Sequence, residues 1–236
     1  MNISKSNFLE TVAIAVAGVV SSNTISFWKG VTSSNALVVI FTGIASIVIY
    51  ETIILLFERI PKRFSWSRKL IDSRAKYEGF YLEIKHVDNC RSYAIVCLIY
   101  NFSIDDYQLS GTSLDKNGML CNNWKSSFVK IDPVSKQIIY AQTGQSTDTS
   151  KGLIFEGVTY MNFDHFLNGK PSSGIGHYVD TIPAKSDFAF QKISEEECKQ
   201  LIGKEKIENM NDYKSFVKNY HENNHNTIFA WENKSE

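Results

Sequence analysis

The chain has 236 residues and equal numbers of acidic and basic residues, so its formal net charge is zero. No global field favours nucleic acid, and neither DNA nor RNA is an expected partner. Its four cysteines (Cys90, Cys97, Cys121 and Cys198) show no C-x-x-C spacing, which reads as reduced packing residues rather than a metal knuckle or a disulfide scaffold.

Two apolar stretches open the chain, Phe8 to Trp28 and Ala36 to Phe57, with a short polar break between them. Each is about 20 residues, the length that a helix needs to cross ~30 Å of hydrocarbon. Residues 1–58 therefore read as a two-helix transmembrane hairpin. A cleaved signal peptide is the rival reading of the first stretch; Glu10 and the second apolar stretch speak against it. Small residues recur four apart: Ala13 with Ala17, Ala17 with Ser21, Gly18 with Ser22, and Thr42 with Ser46 beside Gly43. Such spacing lets helix backbones approach closely. Ala17, Gly18, Ser21, Gly43 and Ser46 are thus candidates for assembly, within the hairpin or between copies. Glu51 is a further candidate. It marks either the membrane boundary or a polar contact inside an assembly.

Residues 59–76 form a basic linker, with Arg59, Lys62, Arg63, Arg68, Lys69, Arg74 and Lys76 opposed only by Asp72. Placed after a hairpin, this asymmetry puts both termini in the cytoplasm of a multi-pass protein. The linker also suits anionic headgroups.

From Tyr77 the hydrophobic period becomes two. Strands are expected at 77–85, 93–103, 106–115, 123–131, 136–143, 152–163, 176–182 and 187–192, separated by turn signals such as Lys116-Asn117-Gly118 and Asp132-Pro133. In the first strand Phe80, Leu82 and Ile84 share one face. Eight short strands in succession suit an antiparallel up-and-down β-barrel over 77–193, of a size that holds one small ligand. The fold class is therefore a membrane α-hairpin plus a mainly-β domain. Residues 194–236 read as C-terminal helices and a tail. Ser194 to Glu197 is a capping box, and Tyr213, Phe216, Val217 and Tyr220 form a stripe that packs on the barrel.

No glycine-rich phosphate loop, nucleophile elbow or zincin helix occurs, and the five histidines have no ligand-like spacing. The expectation is a protein that is not an enzyme and carries no metal or cofactor. Aromatic and polar groups do sit on the strands. Tyr81, Tyr107, Ser113, Trp124, Ser126, Tyr140, Thr159, Tyr160, His177 and Tyr178 are the ligand-binding candidates, because hydroxyls with aromatic faces suit a nucleobase. The plainer reading of each ring is that it fills the barrel or covers its outside.

The hairpin, the basic linker, the first strand Tyr77-Glu78-Gly79-Phe80-Tyr81, the stretch Tyr107 to Ser113 and the strand Trp124-Lys125-Ser126-Ser127 together resemble a known family. It is the CD-NTase-associated effector of bacterial CBASS antiphage systems, with two transmembrane helices and a β-strand-rich barrel. The resemblance implies that a partner nucleotidyltransferase makes a cyclic dinucleotide, that the barrel binds it, and that the effector self-assembles and disrupts the inner membrane. Rival readings are a membrane-tethered, lipocalin-like carrier of an apolar ligand and a non-enzymatic adaptor with a filled barrel.

Overall fold

The computed structural model describes residues 14–16, 18–19, 25–26, 29, 35–56, 60–87, 90–146, 154–180 and 185–224. The chain divides into two compact units, Met1–Ile71 and Asp72–Glu236.

In the first unit, helix α1 (Asn35–Ile54) is long and apolar enough to cross a membrane. Its only charged residue, Glu51, is exposed. The hydroxyls of Ser46 and Thr52 donate to the carbonyls of Thr42 and Val48 at 2.8 and 2.7 Å, so the helix satisfies these polar groups itself. Of the first apolar stretch, only 14–16, 18–19 and 25–26 are described, as helix; Ala17 and Ser21 lie outside the described residues. A Cβ built on Gly18 or Gly43 would meet nothing within 4 Å among the described residues. The basic segment is helical, with α2 (Ile60–Arg63) and α3 (Ser65–Ile71) meeting at Phe64. Arg68 fixes that corner. Its guanidinium donates to the Lys62 carbonyl at 2.6 Å, and its amide to that of Phe64 at 3.0 Å.

The second unit starts with a 3-10 turn, Ser73–Tyr77. Asp72 caps it by accepting from the Arg74 amide at 2.9 Å. Eight strands follow: β1 (Gly79–Val87), β2 (Cys90–Asn101), β3 (Asp106–Leu114), β4 (Leu120–Asp132), β5 (Gln137–Ser146), β6 (Ile154–Leu167), β7 (Lys170–Asp180) and β8 (Lys185–Lys192). Each pairs antiparallel with the next, and β8 returns to β1, closing the barrel. Closure removes the exposed strand edges that an open meander would present. The one large departure from the expected strands is the β6–β7 hairpin. It runs on to a turn at Asn168 and Gly169, whose φ angles are +50° and +71°. Asn-Gly is the pair that adopts two successive positive φ angles with least strain. Pro171 and two glycines break the alternation that would otherwise have revealed the first half of β7.

Strand β1 puts Phe80, Leu82 and Ile84 on one face, as their alternation predicts. Leu82 and Ile84 face outward, where they join Tyr93, Ile95 and Leu114 in a second core. Helices α4 (Glu195–Ile202) and α5 (Met210–Asn224) cover it with Cys198, Phe216, Val217 and Tyr220. The Ser194–Glu197 capping box opens α4, and Gly203 ends it with a left-handed φ of 70°. Tyr81 and Glu83 consequently point into the barrel.

Candidate functional site

The barrel interior changes character along its length. At the end beside the 3-10 turn, Tyr77, Tyr81, Phe163 and Phe190 fill the bore with rings in edge-on contact, at centroid distances of 4.8 to 6.2 Å. Tyr77 reaches this layer because the 3-10 turn folds under the barrel. The Tyr81 hydroxyl donates to the Tyr77 carbonyl, and burial pushes the Tyr81 phenol far up. Tyr107 belongs to the same end. Its hydroxyl donates to Asp72 at 3.2 Å, and the Arg74 guanidinium lies 5.0 Å above its ring.

The middle layer is a beam across the bore. Tyr140 on β5 stacks on Trp124 of β4, with ring centroids 5.3 Å apart and planes 8° apart. Its hydroxyl donates to Glu83 of β1 at 3.2 Å, and Thr159 hydrogen-bonds the same phenol. Trp124 lies flat because residue 111 is glycine: a Cβ there would sit 2.2 Å from the indole. Gly176 makes the same room for Phe188. Burial raises the Glu83 carboxyl above its ordinary range, and Lys85 and the Tyr140 hydrogen bond offset this only in part. Burial likewise raises Tyr140, and the neighbouring Glu83 adds to the effect.

Beyond the beam the interior is polar. Lys85 lies two residues after Glu83, and its ammonium stands 5.2 Å from the Tyr178 ring and 5.1 Å from the Phe188 ring. Such placement stabilises a cation by the ring quadrupoles. Gln142 follows Tyr140 by two residues, and Asn122 precedes Trp124 by two. The side-chain oxygens of both amides are buried with no hydrogen-bond partner among the described residues. A buried amide oxygen left unpaired costs about 1–3 kcal/mol, so this layer is suited to accept hydrogen bonds that the described residues do not supply. Ser113, which pairs with Asn122 across β3 and β4, completes it.

The sequence-derived candidates divide accordingly. Trp124, Tyr140, Thr159, Tyr178 and Ser113 share the interior with the beam and the polar layer. Tyr81 and Tyr107 lie at the opposite end, spent on closing it. The Ser126 hydroxyl accepts from the Leu109 amide at 2.9 Å beside the β4 bulge, a backbone role. Tyr160 and His177 lie apart from these. They are opposed on the outer face of β6 and β7, with ring centroids 5.6 Å apart, and His177 lies 3.4 Å from the exposed Asp187. Glu83, Lys85, Asn122 and Gln142 were missed. The alternation from Tyr81 to Lys85 places Glu83 and Lys85 on the Tyr81 face, but does not by itself say that a charged face turns inward. A separate open hollow of about 500 Å³ on the β4–β5 wall is lined mainly by outward positions, Asn123, Lys125, Thr143 and Gln145 among them. No family model, curated protein or solved structure matches the chain.

Proposed function

We propose that this protein is a membrane effector of antiphage defence, in which the cytoplasmic barrel senses a cyclic dinucleotide and drives self-assembly that disrupts the inner membrane. The observation that carries the reading is one chain joining a bilayer-length helix to a closed barrel with a polar layer whose buried amide oxygens have no partner among the described residues. Residues 8–28 and α1 form the hairpin, and both termini stay in the cytoplasm. The ligand binds beyond the Tyr140 beam, because rings already fill the bore on the other side. There Gln142 and Asn122 accept from base N–H groups, Trp124 and Tyr178 offer aromatic surface, and Lys85 offers a cation for phosphate. The same unpaired amides count against an apolar ligand. A filled-barrel adaptor would have no use for them.

Coupling requires that the ligand favour the assembled state over the dispersed one. The open surroundings of Gly43 suit a helix contact with a second copy. The test is thermal-shift and calorimetric titration of the full chain against a panel of cyclic di- and trinucleotides. A specific ligand at 100-fold excess over Kd adds about 2.7 kcal/mol of stability. Gln142→Leu and Lys85→Gln abolish that shift. Absence of any shift from a folded sample, with a lipid in its organic extract, would instead identify a carrier.

A further inference from the structure

We propose that α2 and α3 form a lipid-headgroup surface, in which Trp66 and Leu70 enter the bilayer interface and Lys62, Arg63 and Lys69 bind anionic lipid. Trp66 and Leu70 are one helical turn apart and are 69% and 72% exposed; Phe64 and Ile71 are exposed beside them. Within α3, Lys69 shares the Trp66–Leu70 side, whereas Ser67 and Arg68 are buried. No acidic residue occurs from Ile60 to Ile71. An exposed apolar surface with Lys69 on the same side, and with Lys62 and Arg63 in the short helix just before it, fits the boundary between acyl chains and anionic headgroups, where Trp anchors and Lys and Arg bind phosphate.

Continuity with α1 identifies the occupant. Only residues 55–59 separate α1 from α2, a reach of at most roughly 20 Å. If α1 crosses the bilayer, the Trp66 surface begins at the headgroup layer. Arg68 differs from the other cations: its hydrogen bond to Lys62 holds the α2–α3 corner. This inference rests on α1 entering the membrane and is independent of any nucleotide ligand.

The experiment uses the full chain reconstituted in phosphatidylcholine vesicles with and without phosphatidylglycerol. Flotation first reports whether the chain is membrane-bound; failure to float overturns both the membrane reading and this surface. In floating samples, quenching by brominated lipid is compared between the wild type and Trp66→Phe, which isolates the Trp66 signal. Spin-labelled phosphatidylglycerol then reports headgroup preference. The expected results are strong quenching of Trp66 and a preference for phosphatidylglycerol that falls about fivefold for each charge removed in Lys62→Gln, Arg63→Gln and Lys69→Gln. A floating chain with Trp66 unquenched, or with a preference unchanged in the triple variant, overturns the proposal while leaving α1 in the membrane. A Trp66→Cys variant that forms disulfide dimers instead of meeting lipid assigns the surface to a second copy and also overturns it.

Discussion

The Tyr140 hydroxyl lies 3.2 Å from the Glu83 carboxylate although their strands, β5 and β1, stand half-way round the barrel from one another. Only a side chain reaching across the bore can make this contact. It ties opposite walls together and places a carboxyl where water does not solvate it.

That carboxyl sets a pH dependence. Glu83 is raised above its ordinary 4.5 in the folded protein, so the folded state holds its proton over a range where the unfolded state has lost it. Its contribution to stability is greatest below pH 4.5 and is lost as pH rises through the folded value. Glu83→Gln keeps an acceptor for Tyr140 and removes the titration. The variant is expected to be more stable than wild type at neutral pH, by about 1–3 kcal/mol, the scale of one badly satisfied buried polar group. Thermal unfolding between pH 4 and 8 checks this; a wild-type slope retained in the variant would assign the dependence to another group.

The glycine under Trp124 gives a packing prediction. Gly111→Ala places a methyl group 2.2 Å from the indole, and overpacking of a filled core costs about 1–3 kcal/mol. Trp124→Ala costs about 3–5 kcal/mol by leaving a cavity. In the double variant the two losses fall well short of their sum, because the ring that the methyl group strikes is gone. Additive losses in denaturant titrations would show that the ring and residue 111 do not share this space.

The turn under the barrel predicts a protease pattern. Ala75 and Tyr77 are buried, which shields the tryptic sites at Arg74 and Lys76. Asp72→Ala removes the cap, the acceptor for Tyr107 and the partner of Arg74 at 3.0 Å. Loss of a cap costs about 0.5–2 kcal/mol. Trypsin is expected to cut the variant at these two sites many times faster, while the barrel stays resistant. Equal rates would remove the turn as the lock on this end.

Tyr160 and His177 supply a control for the ligand reading. Both sit on the outer face. Tyr160→Phe and His177→Ala are expected to leave the thermal shift with a cyclic dinucleotide unchanged, whereas Gln142→Leu abolishes it. Loss of the shift in His177→Ala would move the site to the outer wall.

Strand number, order and the C-terminal stripe were legible because period-two segments and turn residues act locally. Phe216, Val217 and Tyr220 pack where their spacing demands. The facing of β1 was not legible: Leu82 and Ile84 are more apolar than Glu83 and Lys85, yet they lie outside because α4 and α5 build a second core there. Parity puts Thr159 and Tyr160 on opposite faces but could not say that Thr159 is the one pointing inward. The polar layer stayed hidden for a related reason. Gln142 and Asn122 are ordinary strand residues in sequence, and only barrel closure buries their side-chain oxygens.

Seven of the eight strand pairings join chain neighbours, but β1 and β8 come from opposite ends of the sheet and meet over five pairs, from Tyr81–Lys192 to Lys85–Phe188. This is the seam of the barrel, and it closes the longest loop in the sheet, so chain entropy opposes it most. The C-terminal helices contact both strands of that seam: the Gln191 side-chain amide donates to Glu197 at 2.8 Å, and the Tyr213 ring stands 6.4 Å from that of Phe80. They therefore act as a buckle. Amide exchange along β1 and β8 should be slow while α4 and α5 remain docked and should quicken once they are removed, before the rest of the sheet loosens.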